Sequence, residues 1–117
     1  MATVLIIEDC PDTRQHLRTI IESQGYDVWE ASNGEEGIML CRLLLPDLVI
    51  TDIMMSVKDG LETIADLHAL FVSPKVIAMS AHRDKLELAL DLGAQEVFQK
   101  PIDPQELLDT VKEVLRF

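Results

Sequence analysis

The sequence predicts a doubly wound α/β domain, and three observations carry that prediction. Short, near-continuous apolar runs rich in β-branched residues recur along the chain, as strands buried on both faces of a parallel sheet require. Between these runs the apolar spacing changes to the period of a helix. The alternation holds from one end to the other, which implies right-handed βαβ units. At 117 residues, one domain over residues 1–117 is expected, large enough to bury a core without covalent staples.

The first strand is read at Val4 to Ile7. Pro11 opens the first helix, where its missing N–H costs nothing; Leu17, Ile20, Ile21 and Gln24 mark one face, and Gly25 acts as the stop. A shorter second strand, Asp27 to Ala31, precedes a helix with Ile38, Leu40, Cys41 and Leu44 at helical spacing. The third strand runs from Leu48 to Thr51, followed by a helix carrying Leu61, Ile64, Leu67 and Leu70. Val76 to Met79 is the fourth strand, Arg83 to Leu92 its helix, and Gly93 the stop. Glu96 to Gln99 is the fifth strand. The last helix spans Pro104 to Leu115, with Asp103 and Glu106 in the form of a capping box and Leu107, Leu108, Val111, Val114 and Leu115 on one face. No linker, repeat or low-complexity tract interrupts this pattern.

Composition narrows the function. Ten Lys and Arg against twenty-one Asp and Glu leave a net charge of −11, a field that repels phosphate backbones, so no direct nucleic-acid partner is expected. The start lacks the basic and long apolar regions of a secretory signal, and no stretch is long enough to cross a bilayer. Cys10 and Cys41 have neither CxxC spacing nor a Cys/His cluster around them. Two free thiols in a reducing cytosol follow, and a cytoplasmic location is expected.

In a doubly wound sheet, the loops leaving the C-terminal strand ends gather at one edge, where ligands bind. Glu8 and Asp9 follow the first strand, Asp52 stands at the end of the third, Ser80 follows the fourth, and Lys100 with Pro101 the fifth. Two like charges about 4 Å apart repel by roughly 4 kcal/mol at an effective dielectric near 20, so three clustered carboxylates need more than one lysine. An all-oxygen site without His or Cys suits a hard cation, Mg²⁺ or Mn²⁺. With that charge screened, Asp52 is a plausible nucleophile toward phosphorus. Lys100, the Ser80 hydroxyl and the Ala81 backbone N–H are then placed to neutralise the phosphoryl oxygens.

With LIIED at 5–9, DLVITDIMM at 47–55 and the DG after it, VIAMSA at 76–81 and QKPID at 99–103, the chain resembles the receiver domain of two-component response regulators over essentially its whole length. Each piece is weak alone; five in order on the expected loops are specific. The resemblance implies a flavodoxin-like, five-stranded parallel sheet of order 2-1-3-4-5 with five helices. It implies that Asp52 is the phosphorylation site, that Asp9 and Asp52 bind the metal directly, Glu8 through water, and Met54 by its backbone carbonyl. Ser80 and Lys100 would be the switch residues, reporting to the surface around the fourth helix and fifth strand, and the bond before Pro101 would be cis. The implied partners are a sensor histidine kinase or histidine phosphotransfer protein, and a downstream effector protein or domain. The chain would not be an enzyme in the ordinary sense: it would catalyse only its own phosphorylation and slow dephosphorylation.

Three positions depart from the family pattern. Ser56 stands where proline is usual, which releases a fixed φ in the loop after Asp52. Val97 stands where an aromatic switch residue is frequent, and Phe98 cannot replace it because adjacent strand residues point to opposite faces. Lys58 occupies an often apolar position, and both the site and solvent lie open to it.

Plainer readings stand beside these. His16, His68 and His82 lack a supporting constellation and read as surface or packing residues, although the resemblance places His82 and Met54 beside the phosphoryl group. Met55 reads as packing and Cys10 as an inert thiol. The rival functions are a receiver-like interaction module that is not phosphorylated, a flavodoxin-like cofactor binder and an aspartyl phosphatase. The last two lack, respectively, a Ser/Thr/Gly-rich phosphate loop after the first strand and a paired Asp on that strand. As no residues follow Phe117, a stand-alone receiver and the front of a longer regulator are both open.

Overall fold

The computed structural model describes residues 1–116; Phe117, the last residue of the expected domain, lies outside them. Strands β1 (Thr3–Ile7), β2 (Asp27–Ala31), β3 (Leu48–Asp52), β4 (Lys75–Ser80) and β5 (Glu96–Gln99) alternate with helices α1 (Pro11–Glu22), α2 (Gly34–Leu44), α3 (Gly60–His68), α4 (Arg83–Leu92) and α5 (Pro104–Val114). All strand pairs are parallel and their order is β2-β1-β3-β4-β5. This is the flavodoxin-like arrangement expected from the sequence.

The strand pleat explains why the sheet is covered on both sides. Val4, Ile6, Leu48, Ile50, Ile77 and Met79 point to the face held by α1 and α5, where Leu17, Ile21, Leu107 and Val111 meet them. Leu5, Ile7, Val49 and Ala78 point the other way, toward Ile38 and Cys41 of α2, Ile64 and Leu67 of α3, and Leu86 and Ala89 of α4. Each fully buried Leu, Ile or Val contributes roughly 1.5–3 kcal/mol, and a slip of one residue in register would move every one of them to the wrong layer.

Several boundaries differ from the sequence reading. β4 extends to Ser80, so that side chain sits on the last strand residue and not in the loop beyond it, while Asp52 ends β3 as expected. α1 ends at Glu22, which leaves Gln24 exposed beyond the helix, and Gly25 serves a turn with φ 87° two residues after the cap. α5 ends at Val114, one residue short of Leu115. Asp103 does cap α5, but its carboxylate accepts from the Gln105 N–H, one residue earlier than a capping box requires. Gly93 closes α4 at φ 123° as expected. Among the described residues, no helix is long and apolar enough to cross a membrane.

Candidate functional site

The C-terminal ends of β1, β3, β4 and β5 meet at one edge of the sheet. Glu8 and Asp9 leave β1, and Asp52 ends β3, which is paired directly beside it. One carboxylate oxygen from each of Glu8, Asp9 and Asp52 lies within 4.8 Å of the others. Lys100 reaches in from the end of β5, its Nζ 3.2 Å from Glu8 Oε1 and 3.2 Å from Asp52 Oδ1. The ammonium therefore bridges two of three carboxylates, leaving an excess of two negative charges. The peptide bond between Lys100 and Pro101 is cis.

Burial decides the electrostatics. Glu8 is only 1% exposed. Its carboxyl is pushed from 4.5 up to about 7, first by burial and second by repulsion from Asp52, with Lys100 pulling the other way. For Lys100, burial acts to lower the ammonium, but attraction to Asp52 and Glu8 outweighs it and the pKa is raised. The donor set and the charge excess both fit a divalent hard cation: carboxylate oxygens only, two of the three carboxylates buried, and a deficit of positive charge that a dication would remove.

A testable consequence concerns the metal-free protein. Because the folded Glu8 holds its proton up to about pH 7 while the unfolded chain releases it near 4.5, folding binds a proton in that window. Stability from this group is thus full below about 4.5 and is lost as pH rises toward 7, by at most roughly 3 kcal/mol. Thermal melts in chelator, compared with Glu8→Gln, should show the parent losing stability relative to the variant across that window. Parallel curves would contradict it.

The backbone braces this cluster. Glu8 N–H donates to Ala31 O at 3.0 Å, and Glu8 O accepts from Arg14 Nη1 at 2.8 Å. Arg14 is itself held by Glu30 at 3.1 Å, and Glu30 also pairs with Arg18 at 2.5 Å. Asp52 Oδ1 accepts from the Ile53 N–H at 3.0 Å, and the Thr51 hydroxyl donates to Asp52 O at 2.9 Å. Ser80 is fully buried at the end of β4; its Oγ accepts from the His82 N–H at 3.0 Å, and its carbonyl accepts from the Lys100 N–H at 2.9 Å. Ala81 follows, exposed. No hydrogen bond joins the Ser80 hydroxyl to Asp52 among the described residues. Met54, two residues past Asp52, has a half-exposed side chain.

Residues 4–112 match the sequence profile of the family described as the response regulator receiver domain. The chain is a response regulator receiver domain. Among curated relatives, Protein CcdB of Bacillus subtilis (strain 168) is 34% identical over 118 residues, covering 98% of this receiver and 98% of that protein. The KDP operon transcriptional regulatory protein KdpE of Escherichia coli (strain K12) is 36% identical over 118 residues, covering 99% of the receiver but 52% of KdpE. The receiver thus spans about half the length of KdpE, as it does of the regulators PhoP and NarL. Of solved structures, the CheY-like receiver domain protein from Methanospirillum hungatei JF-1 superposes with a TM-score of 0.92 at 26% identity, over 98% of this chain and 94% of that one. Chemotaxis response regulator CheY4 of Vibrio cholerae does so at 0.88 and 26%, over 97% and 98%.

The three departures now have physical accounts. Ser56 supplies an N–H that proline would lack, and it donates to Asp9 Oδ2 at 3.4 Å, tying the loop after Asp52 to the loop after β1. Lys58 turns neither to the acidic cluster nor freely into solvent: its ammonium pairs with Asp66 on α3 and lies 3.8 Å from Glu62. The hydrogen bond to Asp66 raises its pKa first, burial opposes it, and the charges of Asp66, Glu62 and Glu35 add to the rise. Val97 packs against the layer of α2, α3 and α4, whereas Phe98 packs on the opposite layer, so the aromatic ring does lie on the wrong side of the sheet.

Three contributors went unread in the sequence. Arg14 was one, although a cation in the first turn of a helix opposes the helix dipole and signals a compensating partner. Asn33 and Asp59 were the others; their side chains cap α2 and α3 by accepting from Glu36 and Glu62 N–H at 2.9 Å each. Beside the acidic cluster, a largely apolar cleft of about 510 Å³ runs between α1 and the β5–α5 loop, with His16, Leu17, Ile20, Ala81, Lys100 and Ile102 among its walls.

Proposed function

We propose that Asp52 accepts a phosphoryl group from the phosphohistidine of a sensor histidine kinase or histidine phosphotransfer protein, and that this switches a protein-binding surface. The observation that carries the reading is the Lys100 ammonium at 3.2 Å from both Glu8 and Asp52, inside a three-carboxylate cluster. Such a pocket has a nucleophile, a fixed cation and room for a second cation at one strand edge. Glu8, Asp9, Asp52 and the Met54 carbonyl are the residues to hold Mg²⁺ or Mn²⁺. When bound, that ion would supply the positive charge which lets carboxylate and phosphoryl oxygens approach each other.

An Asp52 oxygen attacks phosphorus in line, the P–N bond breaks, and its electron pair leaves with the donor imidazole, which ends neutral after any needed proton exchange with water. Lys100 follows the charge onto the phosphoryl oxygens. The Ser80 hydroxyl turns from the His82 N–H toward the new group, and the Ala81 N–H faces the same oxygens. Hydrolysis later returns the carboxylate and releases inorganic phosphate. The apolar cleft shares Lys100 with the pocket and gives the donor protein a surface beside the acceptor.

Because Ser80 O accepts from Lys100 N–H, drawing either side chain toward the phosphoryl group moves the ends of β4 and β5 together. With Val97 in place of an aromatic residue, the message to α4 and β5 travels as this backbone shift, and the partner reading it is an effector protein or domain.

The test is Mg²⁺-dependent incorporation from a small acyl-phosphate donor, followed as an intact-mass increase that chelator prevents. A parent protein that gains no mass would leave a receiver fold serving as an unphosphorylated interaction module. The half-exposed Met54 side chain should also hinder attacking water, so Met54→Asn is expected to shorten the acyl-phosphate lifetime severalfold; an unchanged decay rate would remove that role.

A further inference from the structure

At the end of the sheet opposite Asp52, where the chain enters β3 and β4, the surface breaks three rules that a lone soluble monomer follows. Phe71, in the loop between α3 and β4, is 104% exposed, and Val72 beside it is also exposed. Leu45 caps α2 in the left-handed region at φ 49° and is 58% exposed. A glycine there would carry no Cβ penalty and hide no apolar surface from use, so leucine is unfavourable to the monomer twice over. Finally, segments 37–46 and 67–83 contain no Asp or Glu, in a chain with twenty-one of them.

The exposed apolar residues share one patch with the ends of these segments. Cys41, Arg42, Leu45, Leu70, Phe71 and Val72 line a cleft of about 320 Å³. Met39 and Leu43 add exposed apolar side chains on the outer side of α2. Aromatic, Met and Arg side chains without carboxylates are the composition of an interface centre, and a protruding ring beside a recess makes the patch complementary to itself. A surface carrying both knob and hole closes by two-fold symmetry, each ring entering the other copy's recess.

We infer that the α2 C-terminus and the α3–β4 loop form an isologous dimer interface, with Phe71 of each copy seated in the cleft of the other between Cys41, Leu45 and Leu70. The occupant is a second copy because of charge. Two chains of −11 repel wherever acids meet acids, and this cleft, whose lining holds no Asp or Glu and one cation, Arg42, offers an approach in which the acids stay at the rim. The contact leaves the acidic cluster open at the far end of the sheet, so its existence is independent of whether Asp52 is phosphorylated.

Sedimentation equilibrium and light scattering from micromolar to millimolar protein would test this. The parent should show a concentration-dependent monomer–dimer equilibrium that strengthens as NaCl is raised, since salt screens the mutual repulsion; an ion-paired interface would weaken. Phe71→Ser should raise the dissociation constant about tenfold or more, as expected for loss of an aromatic anchor. Leu45→Gly should also weaken the dimer while leaving the monomer's thermal midpoint unchanged or higher, because it relieves the left-handed leucine. A protein monomeric at millimolar concentration in high salt overturns the inference. So does a dimer that survives both substitutions, which would place its interface elsewhere.

Discussion

Asp52→Asn is expected to abolish the mass increase from an acyl-phosphate donor and, in the same protein, to raise the thermal stability of the metal-free state. The first effect is chemical. An amide has no anionic oxygen to attack phosphorus and cannot become a mixed anhydride, whereas its oxygen can still accept from the Ile53 N–H as Asp52 Oδ1 does at 3.0 Å. Fold and pocket shape are retained while the nucleophile is lost. The second effect is electrostatic. Asp52 is the next largest cause, after burial, of the upward push on the Glu8 carboxyl to about 7, so its removal lets Glu8 ionise more easily. The Lys100 ammonium loses one partner at 3.2 Å but keeps Glu8 at 3.2 Å.

Above pH 7 the variant therefore exchanges three crowded carboxylates and one cation for a closer balance, a gain of about 1–2 kcal/mol, or several degrees in melting temperature for a domain of this size. Added Mg²⁺ should narrow the difference, because it stabilises the parent by mass action more than a variant with one carboxylate fewer. A variant that melts lower than the parent in chelator would show that the attraction of Asp52 to Lys100 exceeds its repulsion from Glu8 and Asp9. A variant that still gains phosphoryl mass would move the acceptor to another residue.

The sequence exposed the sheet and the acids at its edge because both follow from local rules. Burial on both faces makes Val4 to Ile7 apolar up to Glu8, and Leu48 to Ile50 apolar up to Thr51 and Asp52, so the strand end and the chemistry announce each other. Whether a side chain at that edge points inward is a long-range matter. Lys100 is 92 positions from Glu8 and meets it only because β1 and β5 both end at this edge. Lys58 shows the opposite case: at an often apolar position it left both the site and solvent open, and Asp66, two turns further along the chain in α3, takes its charge instead. Ser80 was read correctly as an edge residue, yet its hydroxyl is engaged by the His82 N–H in a local turn that no spacing rule distinguishes from contact with a ligand. The bracing of Glu8 O by Arg14, and of Arg14 by Glu30 of β2, depends on side-chain rotamers across two elements and had only the misplaced helix charge as a signal.

Gly60→Ala is expected to be strongly destabilising, for a reason lying in the backbone behind Asp52. Gly60 opens α3, directly after the cap residue Asp59, and its N–H donates to Ile53 O at 2.7 Å. An added Cβ would fall 2.3 Å from Asp52 O and 2.5 Å from Ile53 Cα. Neither can yield alone, since both atoms belong to main chain at the end of β3, where the Ile53 N–H is itself bonded to Met79 O at 3.0 Å. The helix start must instead move away and give up its bond to Ile53. At another site the change to alanine would favour a helix by up to about 1 kcal/mol; here overpacking and the lost hydrogen bond should cost roughly 3 kcal/mol or more. Gly37→Ala supplies the contrast, because the obstacle there is the Ile7 side chain, nearest at Cδ1 at 2.3 Å, which has rotamers to explore. Urea titrations should rank the two with Gly60→Ala clearly the less stable. Where it still folds, its Asp52 peptide is displaced and phosphoryl incorporation should slow, while Gly37→Ala incorporates near the parent rate. If the two variants proved equally stable, the close approach of α3 to the end of β3 would not be the constraint that keeps glycine at position 60.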